Sequence, residues 1–306
     1  DFMDSYLAKG ETCHQSDNFG AVLAAAEYRD ASGDELLSAI AAAYQVQGRL
    51  CDAAPVRHKG FDHTVQGAYA SAAGVARALG LDAEKTAMAV AISGTCNNAL
   101  RCTRTGSLSH WKGLAYPNTG FVGAHAAFLA MRGITGPEEV FEGNKGFKDA
   151  IAGEFTIDWA NEDLENVKKS IIKKYNAEIH SQSSIEGALE LQAEKGFSWD
   201  QIEHIGIDIF DVAFHIIGGG EEGDKTIIRT KEEADHSLQY MVGVALIDGN
   251  VLPAQYEGDR VTRDDIQSLL QRFTVKPKQE YTDRFPQEVC TDVAITLKDG
   301  TVHKIT

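Results

Sequence analysis

Residues 202–210 read IEHIGIDIF, and the alternation puts Ile205, Ile207 and Ile209 on one face of an extended chain, the mark of a half-buried strand. FTVKP (273–277) reads as a second strand. In DVAITLKDGTVHKI (292–305), Asp299-Gly300 sits between two alternating runs, the signature of a two-residue hairpin turn. Helical segments lie between them, SSIEGALELQAEKG (183–196) and EEADHSLQYMVGVALIDG (232–249). This half of the chain is predicted to be an α+β domain with a small antiparallel sheet.

Upstream the period lengthens. SDNFGAVLAAAEYRD (16–30) opens on Ser/Asp/Asn, SGDELLSAIAAAYQVQGRL (32–50) has apolar residues at i, i+3 and i+4, and HTVQGAYASAAGVARALG (63–80) ends on Gly80 as a cap. DAEKTAMAVAISG (82–94) and TGFVGAHAAFLAMRG (119–133) continue the pattern. So many Ala and Gly positions on helices let backbones approach closely, which predicts a tightly packed, all-helical larger domain. ITGPEEVFEGNKGF (134–147), with its Gly-Pro break, marks a turn region. The expected division is residues 1–168 helical and 169–306 α+β.

With 306 residues, 43% hydrophobic and 24% charged, the chain is long enough for two domains with their own cores. No apolar run approaches a membrane span, and the start lacks the basic-then-apolar order of a signal peptide, so the expected location is the cytoplasm, with no membrane partner. Cys13, Cys51, Cys96, Cys102 and Cys290 are scattered without a CxxC pair, and read as buried or idle thiols. A formal net charge of −16 argues against nucleic acid as a partner, since binding phosphates needs a basic face. A small anionic ligand would need a locally positive pocket. No acidic residue falls between Glu84 and Glu138, whereas that window holds Lys85, Arg101, Arg104, Lys112 and Arg132. Within it, RCTRTGSLSHWKGLAYPNTG (101–120) is polar and glycine-bearing, and reads as an anion-binding loop.

GGGEEG (218–223) matches G-x-G-x-x-G literally, but Glu221 and Glu222 would sit where a pyrophosphate needs bare amides, so it reads as a flexible loop. There is no G-x-S-x-G elbow and no H-x-x-x-H pair.

Six blocks, taken in order, resemble the MmgE/PrpD (2-methylcitrate dehydratase) family: DFMDSYLAKGETCHQSDN (1–18), GFDHTVQGAYASAAGVARALGL (60–81), TGSLSHWKGLAYPNTG (105–120), ITGPEEVFEGNKGF (134–147), KKYNAEIHSQSSIEGAL (173–189) and DHSLQYMVGVALIDG (235–249). The resemblance implies a helical domain with a smaller α+β lid, a homodimer, no metal or organic cofactor, and active-site residues in a cleft between domains. It also implies further helix before the DF block and after the final hairpin. AEIHSQ (177–182) and DHSLQYMV (235–242) look most like the dehydratase branch, which implies dehydration of 2-methylcitrate in propionate catabolism. Decarboxylation of cis-aconitate, epimerisation of iminodisuccinate, or tricarboxylate binding without turnover are the alternatives.

Carried over by motif, the implied catalytic residues are Asp1, His14, His63, His180 and Tyr240. Ser5, Lys112 and Lys173 or Lys174 would bind substrate, joined by Arg101 and Arg104 from the basic window. Such a dehydration removes a proton beside one carboxylate and expels hydroxide from the neighbouring carbon. It needs a base, an acid and cations that stabilise the charge accumulating on the carboxylate. Histidine titrates nearest neutral pH and suits the proton transfers. Asp1 would orient a histidine, and Tyr240 would donate a proton or hold a carboxylate. Which of the three histidines is the base stays open. His58, His125, His204, His215, His236 and His303 read as surface or structural residues.

Overall fold

The computed structural model describes residues 3–306, which form two units: residues 3–104 with 110–172, and residues 105–109 with 173–306.

The first unit is built from α1 (Phe19–Arg29), α2 (Gly33–Ala53), α3 (Thr64–Ala78), α4 (Ala83–Cys96) and α5 (Trp111–Met131). Sequence-local chemistry starts these helices. Ser32 and Glu35 form a reciprocal capping box at α2, and the Asp82 carboxylate accepts from Lys85 N at 2.8 Å at α4. Gly80 ends the α3 segment with φ +71°, a conformation that costs other residues a Cβ clash. α3 is buried almost throughout and packs against the other four helices. The core is alanine-rich: Val22, Ala25, Ala39, Ala43, Val75, Ala76, Ala89 and Ala127. A Cβ on Gly74 would come within 2.8 Å of Ala43 and Val22, so the α2–α3 crossing depends on its absence.

Two expectations are corrected here. The unit is not entirely helical: β1 (Asp4–Leu7) pairs antiparallel with β2 (Thr12–Cys13) and with β3 (Ile171–Ile172). Strands of two to four residues are too short to show a period. And α5 starts at Trp111, so 111–118 is helix where a loop was expected, despite Pro117 inside it. Proline at that position removes one backbone donor. Packing against α3 overrides it: a Cβ on Gly67 would meet the Tyr116 ring and hydroxyl at 2.7–2.8 Å, and one on Gly123 would meet Ser71 at 2.9 Å.

The second unit carries a four-stranded sheet in the order β5-β4-β6-β7, with β4 (Ile202–Ile209), β5 (Phe273–Pro277), β6 (Thr291–Leu297) and β7 (Val302–Ile305). Ile205, Ile207 and Ile209 are buried as the alternation requires, with Val293 and Ile295 beside them. The Asp299-Gly300 turn closes β6 on β7, with Gly300 at φ +88°. The sheet is mixed rather than antiparallel, because β4 and β5 pair in parallel. The chain between them runs through helices at Leu238–Asp248 and Asp264–Leu270, the kind of crossover that parallel pairing needs. α6 (Gln182–Lys195) packs on β6 and β7 and against helix Leu238–Asp248.

Candidate active site

In the first unit the chemistry gathers at the entry to α3. Residues 60–62 run beside 99–101: Asp62 N donates to Ala99 O at 3.0 Å, Arg101 N donates to Gly60 O at 2.9 Å, and Phe61 bridges Leu100. This pairing sets the 3-10 turn Arg101–Arg104 next to the α3 start. Three donors then converge on one oxygen. Asp62 Oδ1 lies 2.8 Å from Arg104 Nε, 3.5 Å from Arg101 Nη1 and 3.2 Å from His63 Nδ1, with Asp62 and His63 both buried. Burial on its own would raise the Asp62 carboxyl, but Arg104 and His63 hold it well below the ordinary carboxylate range. An ionised Asp62 can only accept, so His63 Nδ1 carries the proton. His63 Nε2 is buried and, among the described residues, has no hydrogen-bond partner.

His14 meets His63 edge-on, with ring centres 5.8 Å apart, and Tyr116 of α5 stacks on His63 at 6.3 Å. His14 Nδ1 lies 2.8 Å from the Asp4 carbonyl, which can only accept, so this nitrogen is the donor. Ser5 on β1 is fully buried, and its Oγ lacks a partner among the described residues. Asp17 is pushed up by burial, against the pull of His63 and Arg104. Lys112, in the first turn of α5, is 6% exposed.

The second unit repeats the carboxylate–imidazole motif. Glu178 caps the 3-10 turn Ile179–Ser181, accepting from His180 N at 2.7 Å through Oε2, while Oε1 lies 2.7 Å from His180 Nδ1. His180 is fully buried, and its Nε2 has no partner among the described residues. Burial would raise Glu178, yet His180, His236 and Lys173 hold it down to about 2. Lys173 is 8% exposed; Lys174 instead points to Glu186 at 2.6 Å and over the Tyr175 ring at 5.4 Å.

The first unit thus brings together His14, His63, Arg101 and Arg104, with Ser5 and Lys112 buried in the same unit. Asp1 lies outside the described residues. Two placements change the expected roles. Arg101 and Arg104, expected to meet a ligand's carboxylates, turn onto Asp62. Tyr240, expected to donate a proton or hold a carboxylate, is fully buried and donates its hydroxyl to Gln255 O at 2.5 Å; burial pushes it up to about 12. Sequence reasoning missed Asp62 and Glu178. The signal was present: an acid one or two residues ahead of a histidine at a helix start, in GFDH and AEIHSQ. Among the described residues no group of three His, Cys, Asp or Glu side chains comes together as a metal site, and no helix is long and apolar enough to cross a membrane.

The helical unit and the α+β unit each hold a buried histidine whose Nδ1 faces a carboxylate. The chain belongs to the MmgE/PrpD family: the MmgE/PrpD N-terminal domain matches residues 1–160 and the MmgE/PrpD C-terminal domain matches residues 175–306. It is 30% identical to 2-methylcitrate dehydratase of Cupriavidus necator over 99% of this chain and 66% of that protein. The figures for the Escherichia coli (strain K12) 2-methylcitrate dehydratase are 30%, 98% and 65%. Cis-aconitate decarboxylase of Mus musculus is 27% identical over 88% of this chain and 56% of that protein. The chain spans less than two thirds of the length of these relatives.

Proposed function

We propose that the chain carries the chemistry of a hydro-lyase that dehydrates 2-methylcitrate, and by extension citrate, without a cofactor. The observation that carries this reading is His63: Nδ1 faces Asp62 at 3.2 Å, while Nε2 is buried and, among the described residues, has no hydrogen-bond partner. That is the state of a general base before its substrate arrives.

In the proposed step an imidazole Nε2 takes the proton from the carbon beside a carboxylate. The C–H electron pair becomes the new C=C bond, and the C–O bond on the neighbouring carbon breaks. The departing hydroxide is protonated by the imidazolium just formed and leaves as water, which returns the ring to its starting state. Lys112, a buried cation of the same unit as His63, supplies positive field for a carboxylate, where low dielectric strengthens it. Arg101 and Arg104 act one step back, keeping Asp62 ionised and His63 in one tautomer. His14, edge-on to His63, and Ser5 complete the first unit's polar set.

The test is ultraviolet absorbance of the conjugated alkene, with full-length protein, 2-methylcitrate and a chelator. Growth of absorbance that His63→Ala abolishes is the expected result; no absorbance change removes the reading. The decarboxylase relative motivates a second reading, decarboxylation of cis-aconitate. Carbon dioxide release distinguishes it, since dehydration releases none. A cytoplasmic homodimer belongs to the same proposal, and the mass of the purified full-length protein in solution tests the dimer.

A further inference from the structure

We infer that Glu178 is a positioning residue: its carboxylate fixes His180 as the Nδ1–H tautomer and so keeps Nε2 as the open, proton-accepting face of the ring. The inference rests on the dehydratase reading for its kinetic consequence, and on geometry alone for its structural one.

Both oxygens of Glu178 serve the same residue. Oε2 takes the His180 backbone N–H and Oε1 takes Nδ1, each at 2.7 Å, so the ring is tethered at its backbone and at its edge. A carboxylate offers no proton, so Nδ1 must donate, and a neutral imidazole has only one N–H. Phe210 and Phe285, stacked on each other with centres 4.7 Å apart, lie against the ring at 5.4 and 5.7 Å and restrict its rotation. Lys173 and His236 lie close enough to favour the ionised carboxylate.

The large majority of buried side-chain polar atoms have a hydrogen-bond partner, so a structural histidine ordinarily satisfies both nitrogens. His215, in the same unit, does so: Nε2 lies 3.1 Å from Asp211 and Nδ1 accepts from Glu221 N at 3.1 Å. Among the described residues His180 Nε2 is buried without a hydrogen-bond partner, at a cost in stability, which points to a partner that arrives with the ligand. Asp62 stands to His63 in a similar way but divides one oxygen among His63 and two guanidiniums, whereas Glu178 gives its two oxygens to His180.

The test uses the full-length protein labelled with 15N at histidine. Long-range 1H–15N spectra at neutral pH, with His180 assigned from the His180→Gln variant, are expected to show a protonated Nδ1 and an unprotonated Nε2. In Glu178→Gln, whose amide can donate as well as accept, the tautomers mix. With 2-methylcitrate as substrate, kcat falls about 10²–10⁴-fold, KM stays within about threefold, and Glu178→Asp recovers part of the loss. A protonated Nε2 in the wild type, or an unchanged kcat in folded Glu178→Gln, overturns the inference. If Glu178→Gln does not fold, the wild-type spectrum and Glu178→Asp decide. If the wild type turns over no 2-methylcitrate but shows the Nδ1–H tautomer, and Glu178→Gln loses it, the proposed function fails and the positioning role stands.

Discussion

Asp62 is the residue on which the first unit's electrostatics turn, because the buried Arg104 and the partly buried Arg101 both face one of its oxygens. Removing one partner of a buried ion pair leaves the other charge desolvated, which costs about 3–5 kcal/mol. Asp62→Ala is therefore expected to lose that much in urea unfolding, far more than the roughly 0.5 kcal/mol of an ordinary surface change. Glu178 makes a pH-dependent contribution of definite sign. Its carboxyl is held at about 2 in the fold against 4.5 in its absence, so the stabilisation is fully present above about pH 4.5 and is lost as pH falls toward 2. The stability gap between wild type and Glu178→Gln should shrink between pH 5 and pH 3; a gap that stays constant means the carboxylate contributes no charge-dependent term. The histidines were legible because their motif is a residue type in a recognisable block. Their acidic partners were not, since Asp and Glu before a helix start are so commonly caps that only coordinates separate a cap from a tether.

The elements owe their spacing to what glycine lacks. A Cβ on Gly94 in α4 would lie 2.0 Å from a ring carbon of Tyr69, which is itself buried against Phe141 and Phe147. Alanine ordinarily gains about 1 kcal/mol over glycine inside a helix. Here the overlap dominates, because the Tyr69 ring must leave its packing on Phe141 and Phe147 to clear the added carbon, and overpacking costs about 1–3 kcal/mol. Gly33, at the first position of α2, has nothing within 4 Å of an added Cβ. Gly94→Ala should lower the thermal midpoint and Gly33→Ala should raise it or leave it unchanged; thermal unfolding of the two variants side by side checks the sign. Caps and turns were readable in the sequence, as Asp82, the Ser32–Glu35 pair and Asp299-Gly300 show. The helical course of 111–118 and the parallel β4–β5 pair were not. Both are decided by packing partners distant in sequence, α3 for the one and the long crossover for the other.

At the scale of the whole molecule, the switch from helical to alternating period announced two differently built units, and each has its own apolar core. What the pattern concealed is that residues 105–109 belong with the second unit: Gly106 N donates to Glu222 O and Ser107 Oγ to Glu233. A five-residue excursion carries no period of its own. Charge acts at this scale too. With 45 acidic against 29 basic side chains the folded chain repels itself, and at low ionic strength that repulsion reaches across it, since the Debye length is about 30 Å at 0.01 M and about 8 Å at 0.15 M. Salt also weakens exposed pairs such as Lys145–Asp149 and Arg284–Glu288. Each of those is a weak, solvent-screened contribution, and the shortest-range pairs are the least screened. The unmatched acidic charges act over longer distances and lose more by screening, so the net effect of salt should be stabilising. Between 0.01 and 0.15 M sodium chloride the thermal midpoint is expected to rise by roughly 2–4 °C, the shift that about 1 kcal/mol produces. A midpoint that falls instead would mean that paired surface charges outweigh the acidic excess.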